Sequence, residues 1–181
     1  MKTVGIIFSN IHDKEIKELT SSRTLASVPY GGRYRLIDFA LSNMVNAGIP
    51  QVGVITKSNY RSLMDHIGTG KPWDLSRKRD GITFLPPFGG EVYKNRLNAL
   101  EAMLPYISKS TNEYVLMADC NVVCNLDYTE IIDGHKASGA DITIAYVNGE
   151  TPNISELAIL DMDGENKINA VSRRLKDGVE N

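Results

Sequence analysis

The sequence predicts an α/β fold with a mixed, mostly parallel sheet flanked by helices, and three observations carry that expectation. Short apolar runs at residues 4–8, 51–56, 82–85, 114–118 and 142–147 recur along the chain. Segments with apolar residues at helical spacing separate them. Gly, Pro, Asn and Asp mark the boundaries between the two kinds of segment. Strands that alternate with helices are joined by right-handed crossovers, which make neighbouring strands parallel.

The elements follow in order. Residues 4–8 end in a turn, and a helix starts near Arg35, with Leu36, Ile37, Ala40, Leu41, Met44 and Val45 on its apolar face. Gly48 stops that helix and Pro50 follows. After the strand at 51–56, Ser58 or Asn59 caps a second helix to about Ile67, and Gly68 ends it. Residues 69–80 read as a polar loop, 82–85 as a third strand, and PPFGG (86–90) as a sharp break. Leu97, Leu100, Met103 and Leu104 mark a helix over 96–107, before the strand at 114–118. Asp127 caps a helix to about Ala137, and Gly139 closes it. A fifth strand is expected at 142–147. The pattern then changes to two short strands, 157–160 and 167–172, joined by Asp163-Gly164, which is hairpin chemistry.

Length and composition bound the function. The 181 residues suffice for one domain with a core, and 42% apolar content favours a folded chain. A net charge of −2 gives no bias toward nucleic acid or membrane. No apolar run is long enough to span a bilayer, and the N-terminal run is too short for a signal-peptide core. Cys120 and Cys124 are the only cysteines. They read as reduced thiols of a cytoplasmic protein, with no further ligands nearby to make a zinc site.

Ligands of parallel sheets bind outside the carboxyl ends of the strands. That rule singles out the turn after Phe8, the turn after Thr56, and Asp119. A carboxylate directly after a buried strand suits Mg²⁺, which prefers one or two carboxylates plus phosphate oxygens. The competing role for Asp119 is a backbone cap. His12, His66 and His135 are scattered, and no nucleophile triad or carboxylate pair is identifiable. The turn after Phe8 is the place for a phosphate loop, yet it reads Asn10, Ile11, His12, Asp13, Lys14, Glu15.

The stretch VPYGGRYRLIDFALSNMVNAGI (28–49) resembles the sugar-1-phosphate nucleotidyltransferases, in particular bacterial glucose-1-phosphate adenylyltransferases. GVITK (53–57), LMDHIGTG (63–70), YVLMADCNVVCNLDYTEIIDGHKASGADIT (114–143) and the hairpin at 157–173 continue the likeness over nearly the whole chain. Within the family it is most similar to the GlgD-type glycogen biosynthesis subunits. The resemblance implies the Rossmann-like nucleotide-diphospho-sugar transferase fold. It makes residues 1–181 a nucleotidyltransferase-like domain, incomplete at its C-terminal end and without the family's β-helix domain.

The resemblance also shows what is replaced. The family's loop A-G-G-x-G-T-R-L holds nucleotide phosphates on backbone amides. Counted back from Leu19-Thr20, its glycines fall on Asn10, Ile11 and Asp13, and its arginine on Glu15. Side chains at these positions restrict φ > 0 and close backbone approach. Two acids facing a polyanion cost on the order of 1–4 kcal/mol each. The family's Lys-Pro falls on Leu25-Ala26, its Gly-Thr-Ala on Asn95-Arg96-Leu97, and its sugar-phosphate Glu-Lys on Ser172-Arg173. Arg23 stands at a phosphate-side arginine and Asp119 at the Mg²⁺-binding aspartate. Arg173 keeps a positive charge at the sugar phosphate, though without a lysine's geometry. Arg33 aligns with a basic residue tied to effector binding.

These matches imply a regulatory, catalytically weak or inactive subunit. Its partner would be a catalytic GlgC-type subunit in a hetero-oligomer, a tetramer being the implied assembly. Mg²⁺ is the implied cofactor, and ATP or glucose 1-phosphate binding is weak or absent. Two other readings stay open: an active sugar-1-phosphate nucleotidyltransferase, and a non-enzymatic module binding nucleotide or sugar phosphate.

Overall fold

In the computed structural model, residues 3–11, 13–14, 16–77, 80–87, 93, 95–109, 111–149, 156–175 and 178–180 are described. The chain divides into two units, Met1–Ile142 and Thr143–Asn181.

In the first unit, β1 (Thr3–Phe8) is buried along its whole length. A short α1 (Lys17–Thr20), absent from the sequence expectation, follows the loop. A two-stranded hairpin comes next, β2 (Pro29–Tyr30) and β3 (Tyr34–Arg35). Then come α2 (Leu36–Asn46), β4 (Gln51–Ile55) and α3 (Arg61–Ile67). β5 (Gly81–Leu85), α4 (Arg96–Ser108), β6 (Tyr114–Asp119) and α5 (Tyr128–Ser138) complete the unit. The main sheet has the order β5-β4-β1-β6, and all three pairings are parallel.

Alternation along β1 builds the two sides of the core. Ile7 packs with Ile37, Leu41 and Met44 of α2, Leu63 and Ile67 of α3, and Ile132 of α5. Ile6 and Phe8 pack on the opposite face with Ala99 and Met103 of α4. Helices therefore cover both faces of β1 and β4, the central strands.

Local chemistry explains the ends of these elements. Asp38 of α2 accepts the backbone N–H of Arg35 at 3.0 Å and holds His66 Nε2 at 2.6 Å. Arg35 donates to Ser62 Oγ at 2.7 Å, tying the start of α2 to α3. Asp127 caps α5 by accepting Thr129 N–H at 2.8 Å.

Three local expectations need correction. Neither Ser58 nor Asn59 caps α3. Tyr60 stands at that position without a side-chain cap, because Asn59 adopts φ +51° and donates to the Ser21 carbonyl. Lys71–Trp73 forms a 3₁₀ turn inside the expected loop. Residues 142–148 carry no strand. Alternating apolar residues offer a face, but a strand also needs a neighbour for its backbone groups. Among the described residues none pairs there, and Ile142, Ile144 and Val147 are exposed. Residues 88–90 of the predicted break lie outside the described residues.

The second unit holds an antiparallel sheet of order β7-β8-β9. Its strands are β7 (Glu156–Met162), β8 (Ile168–Leu175) and β9 (Gly178–Glu180). The expected hairpin is present, with Asp163 Oδ1 accepting Glu165 N–H at 3.0 Å and Lys167 N–H at 2.9 Å.

Candidate functional site at the carboxyl edge of the sheet

The parallel strands end together, so the residues just beyond β1 and β4 meet. They line an open cleft of about 450 Å³. Phe8, Ser9, Asn10 and Ile11 form one wall, and Ile55, Thr56 and Lys57 the next. Tyr93, Asn95 and Ala99 close it from the side of α4.

The loop after β1 is filled by its own side chains. Asn10 is buried. Its Oδ1 accepts the Lys57 N–H at 2.8 Å and the Ser9 hydroxyl at 2.9 Å. Its Nδ2 donates to the Ser58 carbonyl at 3.1 Å and to the Asp13 carboxylate. Asp13 Oδ1 accepts the Leu25 N–H at 2.8 Å. Thr20 Oγ1 donates to the Asp13 carbonyl at 2.6 Å. The side chains of Asn10 and Asp13 thus take up the neighbouring backbone donors Lys57 N–H and Leu25 N–H, and the loop's Asp13 N–H donates to the Asn10 carbonyl at 3.4 Å. Ile11 projects at the cleft, 39% exposed. Glu15 lies outside the described residues.

Asp119 ends β6 opposite Phe8 of β1. Its carboxylate pairs with the guanidinium of Arg96, the first residue of α4. Asn95 caps that helix by accepting the Asn98 N–H at 2.9 Å. A resident divalent ion does not fit this arrangement. Asp119 already faces a fixed cation, Asp13 is bonded to Asn10 and Leu25, and no cluster of three His, Cys, Asp or Glu occurs among the described residues.

The remaining expected residues are dispersed. Arg23 is half-buried between α1 and the turn Leu25–Ser27, and it is not among the cleft-lining residues. Arg33 is exposed in the β2–β3 turn and donates to Tyr34 Oη at 3.2 Å. Ser172 and Arg173 belong to β8 of the second unit, at register positions opposite Ile159 and Ala158.

Sequence reasoning pointed to the turn after Thr56 but missed Arg96 as a charge partner and the sealing of the loop by Asn10. Thr56 is fully buried, and its Oγ1 has no hydrogen-bond partner among the described residues. A usable signal existed for Arg96, which stands within the segment aligned with Gly-Thr-Ala. Behind the edge, Cys120 is a free, buried thiol. Burial, then the charges of Asp119 and Asp13, push its pKa far up. No described helix is long and apolar enough to cross a membrane.

Comparison with known proteins agrees with this geometry. Residues 12–172 match the nucleotidyl transferase family. The chain is similar to the glycogen biosynthesis protein GlgD of Geobacillus stearothermophilus, 42% identical over 146 residues. That alignment covers 78% of this chain and 43% of the relative. GlgD of Bacillus subtilis (strain 168) is 39% identical over 154 residues, 83% of this chain and 45% of that protein. The glucose-1-phosphate adenylyltransferase of Pseudothermotoga lettingae is 38% identical over 170 residues, 92% of this chain and 40% of that protein. The chain thus spans less than half the length of each of these relatives.

Proposed function

The chain belongs to the nucleotidyl transferase family, and on that premise we propose that it is part of a glycogen biosynthesis subunit with little or no adenylyltransferase activity of its own. It modulates a catalytic GlgC-type partner within a hetero-oligomer. The holoenzyme converts ATP and glucose 1-phosphate to ADP-glucose and diphosphate. The observation that carries this reading is the loop after β1, where Asn10 and Asp13 bond to Lys57 N–H and Leu25 N–H. Transition-state charge in phosphoryl transfer is stabilised by donors left open for it, and here two polar side chains of the loop are spent on backbone N–H groups beside it. The similarity to two GlgD proteins supports the glycogen setting. In this reading Arg33 serves effector response, while Arg23, Ser172 and Arg173 mark remnants of the substrate site.

The test uses the full-length protein with and without its catalytic partner. Alone it makes little or no ADP-glucose, and added to the partner it changes that enzyme's rate or effector response. Turnover near that of a catalytic subunit overturns the first part. Failure both to co-purify and to alter the partner's kinetics overturns the second.

A second reading has one observation in its favour. The cleft is open, and the unpartnered Thr56 Oγ1 belongs to its lining, which suits binding of a small polar ligand without turnover. Equilibrium titration with ATP and with glucose 1-phosphate tests it.

A further inference from the structure

Position 119 holds a carboxylate at the end of a parallel strand, and what faces it comes from a different element. The Asn95 cap fixes Arg96 at the first position of α4. From there the guanidinium reaches the Asp119 carboxylate, with its central carbon 6.0 Å from the centre of the Phe8 ring. The two side chains are 49% and 21% exposed, so the carboxylate is the more enclosed partner.

We propose that Arg96 is a built-in cation that holds the place of a divalent metal at Asp119 and keeps such ions out. The guanidinium is planar and permanently charged, and its paired N–H donors match a carboxylate. The start of α4 adds the positive end of a helix dipole on the same side. A divalent ion entering here would meet, beside the Asp119 carboxylate, two sources of positive potential. Among the described residues, Asp13 also bears on this edge, acting with Asp119 on the buried thiol of Cys120. Its carboxylate is already bonded to Asn10 and Leu25. Arg96 thus supplies its cation from outside the loop after β1 and outside β6.

Exclusion of metal by this pair is separate from the question of turnover. An inactive subunit could still bind a divalent ion at Asp119, and an active one could exclude it. The experiment titrates the chain with Mn²⁺ alone and follows free Mn²⁺ by electron paramagnetic resonance. Wild type leaves the signal of the free ion undiminished. Arg96→Gln takes up one ion about tenfold or more tightly than wild type, the scale of a charge coupled to a neighbouring site. Arg96→Gln combined with Asp119→Asn loses that uptake. Arg96→Lys keeps the charge at the helix start and excludes Mn²⁺ as wild type does. Wild-type uptake that Asp119→Asn removes overturns the proposal. So does Arg96→Gln with no gain, or Arg96→Lys that binds as Arg96→Gln does.

Discussion

The Asp13 carboxylate accepts the backbone N–H of Leu25 at 2.8 Å, across a loop twelve residues long. Its other oxygen takes the Asn10 amide, whose Oδ1 in turn holds Lys57 N–H at 2.8 Å. Asp13 and Asn10 thus form one connected unit that ties the loop after β1 to the residues after β4. Asp13→Ala or Asn10→Ala leaves a partly buried partner unsatisfied and costs about 1–3 kcal/mol. The double variant costs less than the sum, by about 0.5–3 kcal/mol. Urea unfolding of the four proteins measures the coupling, and strict additivity would show that the two residues act separately.

Thr56 gives the opposite sign. Its buried Oγ1 lacks a partner among the described residues, so the folded state carries an uncompensated desolvation. Thr56→Val removes the hydroxyl at nearly constant shape and raises stability by about 1 kcal/mol. A denaturant midpoint shifted upward at constant slope is the expected result. In ligand titration the same variant weakens binding if the hydroxyl serves the cleft.

Gly81 opens β5 with φ +96°, and a Cβ there would run into the Leu75 carbonyl oxygen. Gly81 N–H also donates to the Pro50 carbonyl at 2.7 Å. Gly81→Ala must strain the backbone and displace main chain as well, a loss of at least about 2 kcal/mol. Thermal unfolding checks it, with Gly149→Ala, where a Cβ meets nothing within 4 Å, as the comparison.

Cys120 is buried and its thiol is held protonated by burial and by the neighbouring charges of Asp119 and Asp13. A disulfide reagent at neutral pH therefore modifies one thiol per native chain, at Cys124, and two after denaturation. The linkage follows in sign. The folded thiol's pKa is raised, so its contribution is complete below the unfolded value of about 8.5 and is lost as pH rises beyond it. Stability measured from pH 8 to 10 falls more steeply for wild type than for Cys120→Ala.

The sequence made the sheet legible because its strands are apolar runs, and the central β1 and β4 are buried on both faces, which demands such runs. Asp119 was legible for a simpler reason, since the end of a parallel strand is a fixed place. Arg96 was not, because its partner stands 23 residues away and no periodicity links a helix start to a later strand end. The Asn10–Lys57 contact is equally long-range, at 47 residues. Residues 142–147 failed in the other direction. Their alternation is real, but pairing is decided by a neighbour that local pattern does not contain. The Asn59 cap failed because a left-handed backbone turned that residue toward Ser21.

The position of β1 between β4 and β6 has a consequence for how the chain is born. Of the four strands of the main sheet, TVGIIF leaves the ribosome first, and it is fully buried in the fold. Its partner on one side ends at Ile55 and on the other at Asp119. At about 5–20 residues per second, the second neighbour is synthesised on the order of ten seconds after the first strand. Throughout that interval one edge of this buried strand stays unmade, so this is the segment a nascent-chain chaperone would shield.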